Sequence, residues 1–433
     1  MSGKSIQIDN RHVTRIEGHG NIVVQIEDGE VKKVEWKVPE APRFFEALVV
    51  GRDWSELTKI TSRICGICSI GHTFASLKAT ETAMGITITE QTRRLREVLT
   101  HGETLQSHIL HVCYLVLPDL LKVGSVVSLI ETHRDVVLLA IKLHRLANET
   151  CDIIGGRTTH PVRACVNGWS MLPQKKELEE LKGRYVEAIE DLRRLAEFIQ
   201  SHCSVLPDFE RETEYISLTD PKEYAFYDGR IKSSDLTESL SAEDYRQITN
   251  EYVSPQSTAK WTRFNRNSYS VGALARYNNN HNKLTELSKS MAGQLGLSAP
   301  CYNPFMNNMA QVAECVYAVE KIAEHIEWLI DKELTEEDTR FTIHEGHGVG
   351  AIDVPRGTLF HDYTYDKNGK CVKANLVIPT NQNHANIQFD MEKIVPLFKD
   401  STREELQFIL EMLVRAYDPC ISCSTHCVHL QFT

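Results

Sequence analysis

No stretch of this 433-residue chain is apolar and free of charge for the length of a membrane-spanning helix; the most apolar region, residues 123–143, is interrupted by charges. Residues 1–30 lack a basic stretch followed by an apolar one, so the pattern of a secretory signal is missing too. There is no lysine- or arginine-rich run, and the formal net charge of -11 argues against nucleic acid or an anionic membrane surface as the main partner. Neither a low-complexity linker nor an internal repeat is present, which disfavours a string of independent modules. The chain has no Gly-x-Gly-x-x-Gly after a strand and no cysteine array for several iron–sulfur clusters. Its twelve cysteines are scattered instead of densely spaced, which excludes a small disulfide scaffold and favours a reducing, cytoplasmic setting.

What is present is ordinary for a globular protein, with 42% hydrophobic and 25% charged residues. From residue 6 to 38, alternating apolar residues on either side of Asp28-Gly29 predict a β-hairpin. Leu178, Leu181, Tyr185, Ile189, Leu192, Leu195 and Ile199 recur at three- and four-residue intervals, as one face of a long helix requires. Similar periodicity covers about 91–149, 282–296, 307–333 and 403–416. Between about 346 and 379 the pattern returns to short strands, and the polar, acidic stretch 208–256 reads as a surface excursion. The fold class expected is α+β and predominantly α-helical: a long-helix core with small β elements near both ends, forming one domain over residues 1–433.

Two Cys-x-x-Cys pairs lie at opposite ends, Cys65/Cys68 and Cys420/Cys423. Four thiolates favour soft metals: zinc, copper(I), iron–sulfur or nickel. Taken alone, such pairs most often mean structural zinc, although zinc ribbons have a short gap and roughly 350 residues intervene here. Haem attachment needs His directly after the second cysteine, where this chain has Ser69 and Ser424. A thioredoxin-like redox pair would sit alone in a βαβ setting, which neither pair has. If both pairs share a metal, the two ends of the chain meet in the interior.

The flanks are more specific. They read Arg63-x-Cys-Gly-x-Cys-x-x-x-His72 and Asp418-Pro-Cys-x-x-Cys-x-x-His426, and together they resemble the nickel-binding motifs of the large, catalytic subunit of [NiFe] hydrogenases. Three further segments agree: Thr14-Arg-Ile-Glu-Gly-His19, the stretch 348–361 with Val354-Pro-Arg-Gly-Thr-Leu359 at its centre, and Ile378-Pro-Thr380. That resemblance implies the hydrogenase large-subunit fold and reversible heterolytic cleavage of H2 to protons and electrons. It implies a nickel held by Cys65, Cys68, Cys420 and Cys423, with Cys68 and Cys423 bridging to an iron that carries carbon monoxide and two cyanides. Arg356 and Thr380 match positions that hydrogen-bond the cyanides, while Pro355 and Leu359 wall the pocket. Buried anionic ligands need charge-assisted donors, which a guanidinium supplies.

Splitting hydrogen needs a metal to accept electrons and a base to take the proton. Arg356 and the Cys420 thiolate are the two candidates for that base, and both stay open at this stage. Glu17 matches the glutamate that passes the proton onward; alone it would be an ordinary exposed carboxylate. Asp418 belongs with Arg356. Glu46, in Ala41-Pro-Arg-Phe-Phe-Glu46, and His426 match a site for magnesium or another divalent ion. His72, His108, His111 and His160 are expected around the cofactor as support and not as ligands, and Ser107 falls where some relatives carry an acidic residue. The remaining cysteines, such as Cys113 and Cys315, read as buried thiols. Family members carry a tail that a maturation protease removes after the last motif histidine, which makes residues 427–433 a candidate tail.

The ending looks like the cytoplasmic, cofactor-coupled group: F420-non-reducing, bidirectional NAD(P)-linked and electron-bifurcating types. An iron–sulfur small subunit is the expected partner, across a large apolar interface, together with further electron-transfer subunits of flavin/NAD(P) or heterodisulfide reductase type. Alone, the chain is expected to be poorly soluble or inactive. Two rival readings are a helical protein stapled by structural zinc and a quinone-site subunit of the complex I kind, which lacks the nickel cysteines.

Overall fold

The computed structural model describes residues 4–425. At the N-terminal end β1 (Ile6–Asn10), β2 (Asn21–Glu27) and β3 (Glu30–Lys37) form an antiparallel sheet in that order. Asp28 and Gly29 both take positive φ, 49° and 79°, as the tight turn of a two-residue hairpin demands. Short helices α1 (Phe45–Val49) and α2 (Trp54–Thr61) lead into α3 (Ser69–Ala83) and α4 (Glu90–Ile109). The long helices α5 (Arg134–Gly155) and α6 (Lys175–Gln200) follow.

The expected helical run 91–149 is not continuous. After α4 the chain widens into a π-helical stretch, Leu110–Val116, and leaves the helix near Leu121 before α5 begins. Periodicity persisted because both helices bury the same kind of apolar face; Gly124 and the turn around it break the backbone between them.

The stretch 208–256 is also more than a surface excursion. It contributes β4 (Glu214–Thr219) and β5 (Arg230–Ser233), which join β6 (Tyr269–Ser270) in a sheet ordered β5-β4-β6. Ile216, Leu218 and Tyr245 are buried there with Val349, Ala351 and Phe360 in a core of their own. The acidic residues that suggested solvent are partly internal: buried Glu214 accepts from Ser233 Oγ at 2.6 Å and Asn265 Nδ2 at 2.9 Å.

Helices α7 (Ala273–Asn280), α8 (Glu286–Gln294) and α9 (Asn307–Lys332) complete the helical core. Three antiparallel strands follow, β7 (Gly346–Val354), β8 (Gly357–Tyr365) and β9 (Cys371–Val377), with β8 in the middle. The chain closes with α10 (Pro379–Ile394), α11 (Arg403–Ala416) and the short α12 (Ile421–Ser424). Among the described residues no helix is long and apolar enough to cross a membrane.

The contact that positions the site is α3 against β7. Ideal Cβ atoms on Gly346, Gly348 and Gly350 would stand 2.2, 2.3 and 2.1 Å from the backbone oxygens of Ala83, Ala79 and Ala75. On Gly71 a Cβ would meet Val354 Cγ1 at 2.2 Å. Small residues every fourth position on the helix therefore face small residues every second position on the strand, and only glycine allows this approach. The result is that the N-terminus of α3 lies beside the C-terminal end of β7.

Candidate metal centre

Cys65 ends the short helical turn after α2, and Cys68 precedes the first residue of α3. Cys420 and Cys423 belong to the turn of α12, immediately after the Asp418-Pro419 bend. The four Sγ atoms lie within 4.8 Å of one another, all buried, and form the sole cluster of three or more candidate ligands among the described residues. Cys65 and Cys420 are 3.4 Å apart, Cys68 and Cys423 3.8 Å, and Cys420 and Cys423 2.7 Å.

Such crowding allows one thiolate and resists the rest. Hydrogen bonds from Cys420, Cys423 and Cys68 hold Cys65 well below the usual thiol range, against the opposing effect of burial. Cys420 and Cys423 donate to Cys68, but Cys65 and burial outweigh them and push Cys68 up to about 11. Burial and the neighbouring sulfurs also push Cys423 up. A soft cation among them would relieve that repulsion and let all four ionise.

The two cysteine segments are tied by a residue from the α1 approach. Arg43 donates to the carbonyl of Ile64 at 2.6 Å and also to that of Ser422, so one guanidinium holds the backbone beside both pairs. Thr380 Oγ1, at the start of α10, accepts from the Cys420 N–H at 3.0 Å. Asn381 Nδ2 donates to the Ser424 carbonyl at 3.0 Å.

Over the sulfurs stands the turn between β7 and β8. Arg356, 4% exposed, donates from Nη2 to Asp418 Oδ1 at 2.7 Å and from Nη1 to Ser107 Oγ at 3.1 Å. Burial pulls its pKa down, yet the Asp418 carboxylate and the cysteine sulfurs outweigh it and keep the guanidinium charged. Its Nε is buried without a hydrogen-bond partner. Pro355 and Leu359 are buried on the same turn and strand. Asp418 adopts φ 48°, a left-handed conformation that Asp tolerates better than most residues, and Gln311 Nε2 donates to its second oxygen at 3.1 Å.

Glu17 reaches the cluster from the other side. Its Oε2 accepts from Cys420 Sγ at 3.2 Å and from the Ser422 N–H at 3.0 Å, while its carbonyl accepts from the Ile421 N–H at 3.0 Å. The residue is half-buried, so it spans the distance between a buried sulfur and the outside. Glu46 lies on α1, where Oε1 accepts from the Leu376 N–H at 2.8 Å. His426 and residues 427–433 lie outside the described residues.

The histidines expected as support are all hydrogen-bonded. His72 Nδ1 and His361 Nε2 are 3.1 Å apart. His108 Nε2 lies 2.8 Å from Glu314, His111 bonds Gln311 and the Arg415 carbonyl, and His160 Nδ1 lies 2.9 Å from the Ser62 carbonyl.

Several polar residues of this shell escaped sequence reasoning. Glu103 accepts from the N–H groups of Ile70 at 2.8 Å and Gly71 at 2.9 Å, in the first turn of α3 beyond Cys68. Burial raises its pKa to about 8 despite those two donors. Arg276 and Glu314 form a fully buried ion pair at 2.7 Å. Their signal was a charge on the apolar face of a helical pattern, in Val312-Ala-Glu-Cys-Val316 for Glu314; the partner is remote in sequence and could not be read.

The donor set suits a nickel–iron centre. Four soft sulfurs in a dry pocket match the metals, and a charged guanidinium with a buried, unpartnered N–H beside them matches anionic diatomic ligands.

Comparison with known proteins agrees. A family profile described as nickel-dependent hydrogenase matches residues 43–132 and 206–426, and another, described as HoxL-like, matches residues 6–41. The chain is 33% identical to the alpha subunit of sulfhydrogenase 1 of Pyrococcus furiosus, covering 99% of this chain and 100% of that one. It is 29% identical to one of the subunits of the F420-non-reducing hydrogenase of Methanothermobacter marburgensis, over 98% of this chain and 96% of the relative. A crystal structure of an NAD+-reducing [NiFe]-hydrogenase in the H2-reduced state superposes with a TM-score of 0.88 at 26% identity, covering 98% of this chain and 100% of that chain.

Proposed function

The chain belongs to the nickel-dependent hydrogenase family as its catalytic large subunit, and we propose that its side chains divide hydrogen cleavage among a proton acceptor at Cys420, a proton carrier at Glu17 and a charged canopy at Arg356 and Asp418. The observation that carries this reading is the meeting of four buried thiols from opposite ends of the chain, one of them hydrogen-bonded to a half-buried carboxylate.

Cys65, Cys68, Cys420 and Cys423 hold nickel, and Cys68 and Cys423 share an iron bearing carbon monoxide and two cyanides. Bound there, the metals take up the electrons of H2 and make its protons acidic. The Cys420 sulfur receives a proton and hands it to Glu17 Oε2, 3.2 Å away. Arg356 stays protonated through Asp418 and therefore acts as a donor, with Nη and Nε groups turned to anionic ligands. Thr380 fixes the Cys420 backbone and adds a hydroxyl, while Pro355 and Leu359 keep water out. Glu46 and His426 hold magnesium or another divalent ion behind the cluster.

Electrons leave through an iron–sulfur small subunit. Its docking face lies beside the first cysteine pair, where Arg63 and His160 line an open groove of about 470 Å3 and Val162 is 55% exposed. The names of the relatives support further electron-transfer subunits, of the flavin/NAD(P) or heterodisulfide reductase type. A cytoplasmic location is supported by the eleven described cysteines, all unpaired thiols. Residues 1–433 act as one hydrogenase domain, and a maturation protease removes 427–433.

An infrared spectrum of the purified complex, with metal analysis, tests the centre. One carbonyl band, two cyanide bands and equimolar nickel and iron are expected. A blank spectrum with zinc would return the cysteines to a structural role.

A further inference from the structure

Beneath the canopy lies a buried polar assembly that the roles above do not use. Arg276, on α7, donates from Nε and Nη2 to the two oxygens of Glu314 on α9, each at 2.7 Å. Its remaining reach goes to backbone: Nη1 to the Val354 carbonyl at 2.9 Å and Nη2 to the Pro355 carbonyl at 3.0 Å. Glu314 is held in turn by Tyr224 OH at 2.7 Å and His108 Nε2 at 2.8 Å. Arg276 and Glu314 are 0% and 1% exposed, and the guanidinium carbon stands 4.8 Å from the centre of the Phe226 ring.

The two carbonyls belong to the residues immediately before Arg356. Gly272, at the start of α7 with φ 116°, covers the next carbonyl: a Cβ there would stand 3.3 Å from the Arg356 oxygen. One helical turn thus grips three consecutive backbone units, 354 to 356. A buried ion pair is seldom worth more than well-packed apolar side chains of the same volume, so stability alone gives little reason for this one. What it supplies is direction, because a bidentate guanidinium fixes angles as well as distances.

We propose that Arg276 is a positioning residue for hydrogen cleavage: braced by Glu314, it clamps the Val354 and Pro355 carbonyls and so sets where the Arg356 guanidinium stands over the four sulfurs. The clamp rests on the proposed reading of Arg356 as donor to cyanide ligands.

Arg276→Lys keeps a cation for Glu314 but cannot span a carboxylate and two carbonyls at once. The substituted complex, loaded with nickel and iron, is compared with the unsubstituted one by infrared spectroscopy and hydrogen uptake. Displaced cyanide bands and turnover lower by about tenfold or more are expected, since sub-ångström to ångström misplacement of a catalytic group is enough for that loss. Tyr224→Phe, which removes one bond to Glu314 and almost no volume, is measured beside it and should move the cyanide bands in the same sense by less. A brace that serves folding alone would lower the melting temperature and leave the bands of assembled enzyme in place; unmoved bands in Arg276→Lys, or in Tyr224→Phe if the lysine variant fails to assemble, overturn the proposal. Absence of cyanide bands from the unsubstituted complex would instead remove the reading of the centre itself, and the clamp with it.

Discussion

Glu17→Gln is the sharpest perturbation of the proton route. The amide has nearly the shape of the carboxylate, and its oxygen can still accept from the Ser422 N–H, now 3.0 Å away. The structural cost is the difference between a charged and a neutral acceptor, about 1 kcal/mol. The functional cost is larger. Among the described residues, the hydrogen bonds of Cys420 Sγ run to neighbouring sulfurs and to Glu17, so Glu17 is its one partner able to carry a proton away from the cluster. Removing a positioned acid–base group costs about 10²–10⁴-fold in rate, or about 3–5 kcal/mol of barrier. The assay is hydrogen uptake with a dye by the purified complex, alongside D2–water isotope exchange and an infrared spectrum. Uptake and exchange should both fall within that range while metal content and carbonyl and cyanide bands stay as they were. Full uptake by a Glu17→Gln enzyme would refute the assignment and send the proton elsewhere.

Asp418→Ala should leave the Arg356 guanidinium buried without its carboxylate, a loss of about 3–5 kcal/mol by the usual behaviour of broken buried pairs; a melting temperature unchanged from the parent would contradict it. Gly348→Ala puts a methyl 2.3 Å from the Ala79 carbonyl, so α3 and β7 must part, and nickel retention measured after purification should drop sharply. The pH dependence of stability should carry the mark of Glu97, whose pKa burial raises from 4.5 to about 7 with help from Glu223, even though Arg93 Nη1 sits 2.5 Å away and pulls the other way. The unfolded chain gives up this proton near 4.5 and the folded one near 7, so the folded state binds more protons in between. Stability should therefore decline by about 3 kcal/mol as pH rises through that window. Calorimetry at pH 5 and pH 8 should show a smaller decline for Glu97→Gln, and equal declines would rule the effect out.

The metal centre was the most legible part of the chain because its chemistry is local: two thiols three residues apart, each pair flanked by a charged residue and a proline or glycine, name a ligand set without knowledge of the fold. Periodicity likewise announced α6, α9 and α11, whose buried faces repeat over several turns. It failed between 91 and 149, where two helices with similar faces follow one another and the break depends on backbone geometry around Gly124. It failed again at 208–256, since the acidity of that stretch is partly spent inside the protein, as Glu214 shows. The supporting shell was least legible. Arg276 meets Glu314 from 38 residues away and His108 meets it from 206, so neither pairing leaves a spacing to read.

The small-residue contact between α3 and β7 has a geometric consequence. Four residues of helix advance about 6 Å and two residues of strand about 6.6 Å, so the two ladders are nearly commensurate. Like a rack and its gear, they can engage in steps of one turn and nowhere between. A single step would carry Cys68 by a length greater than its 3.8 Å distance from Cys423, and would separate α3 from the turn that bears Arg356. The centre therefore has no half-assembled neighbour within easy reach: the gauge that spaces sulfur from guanidinium is cut in backbone, with glycines for notches.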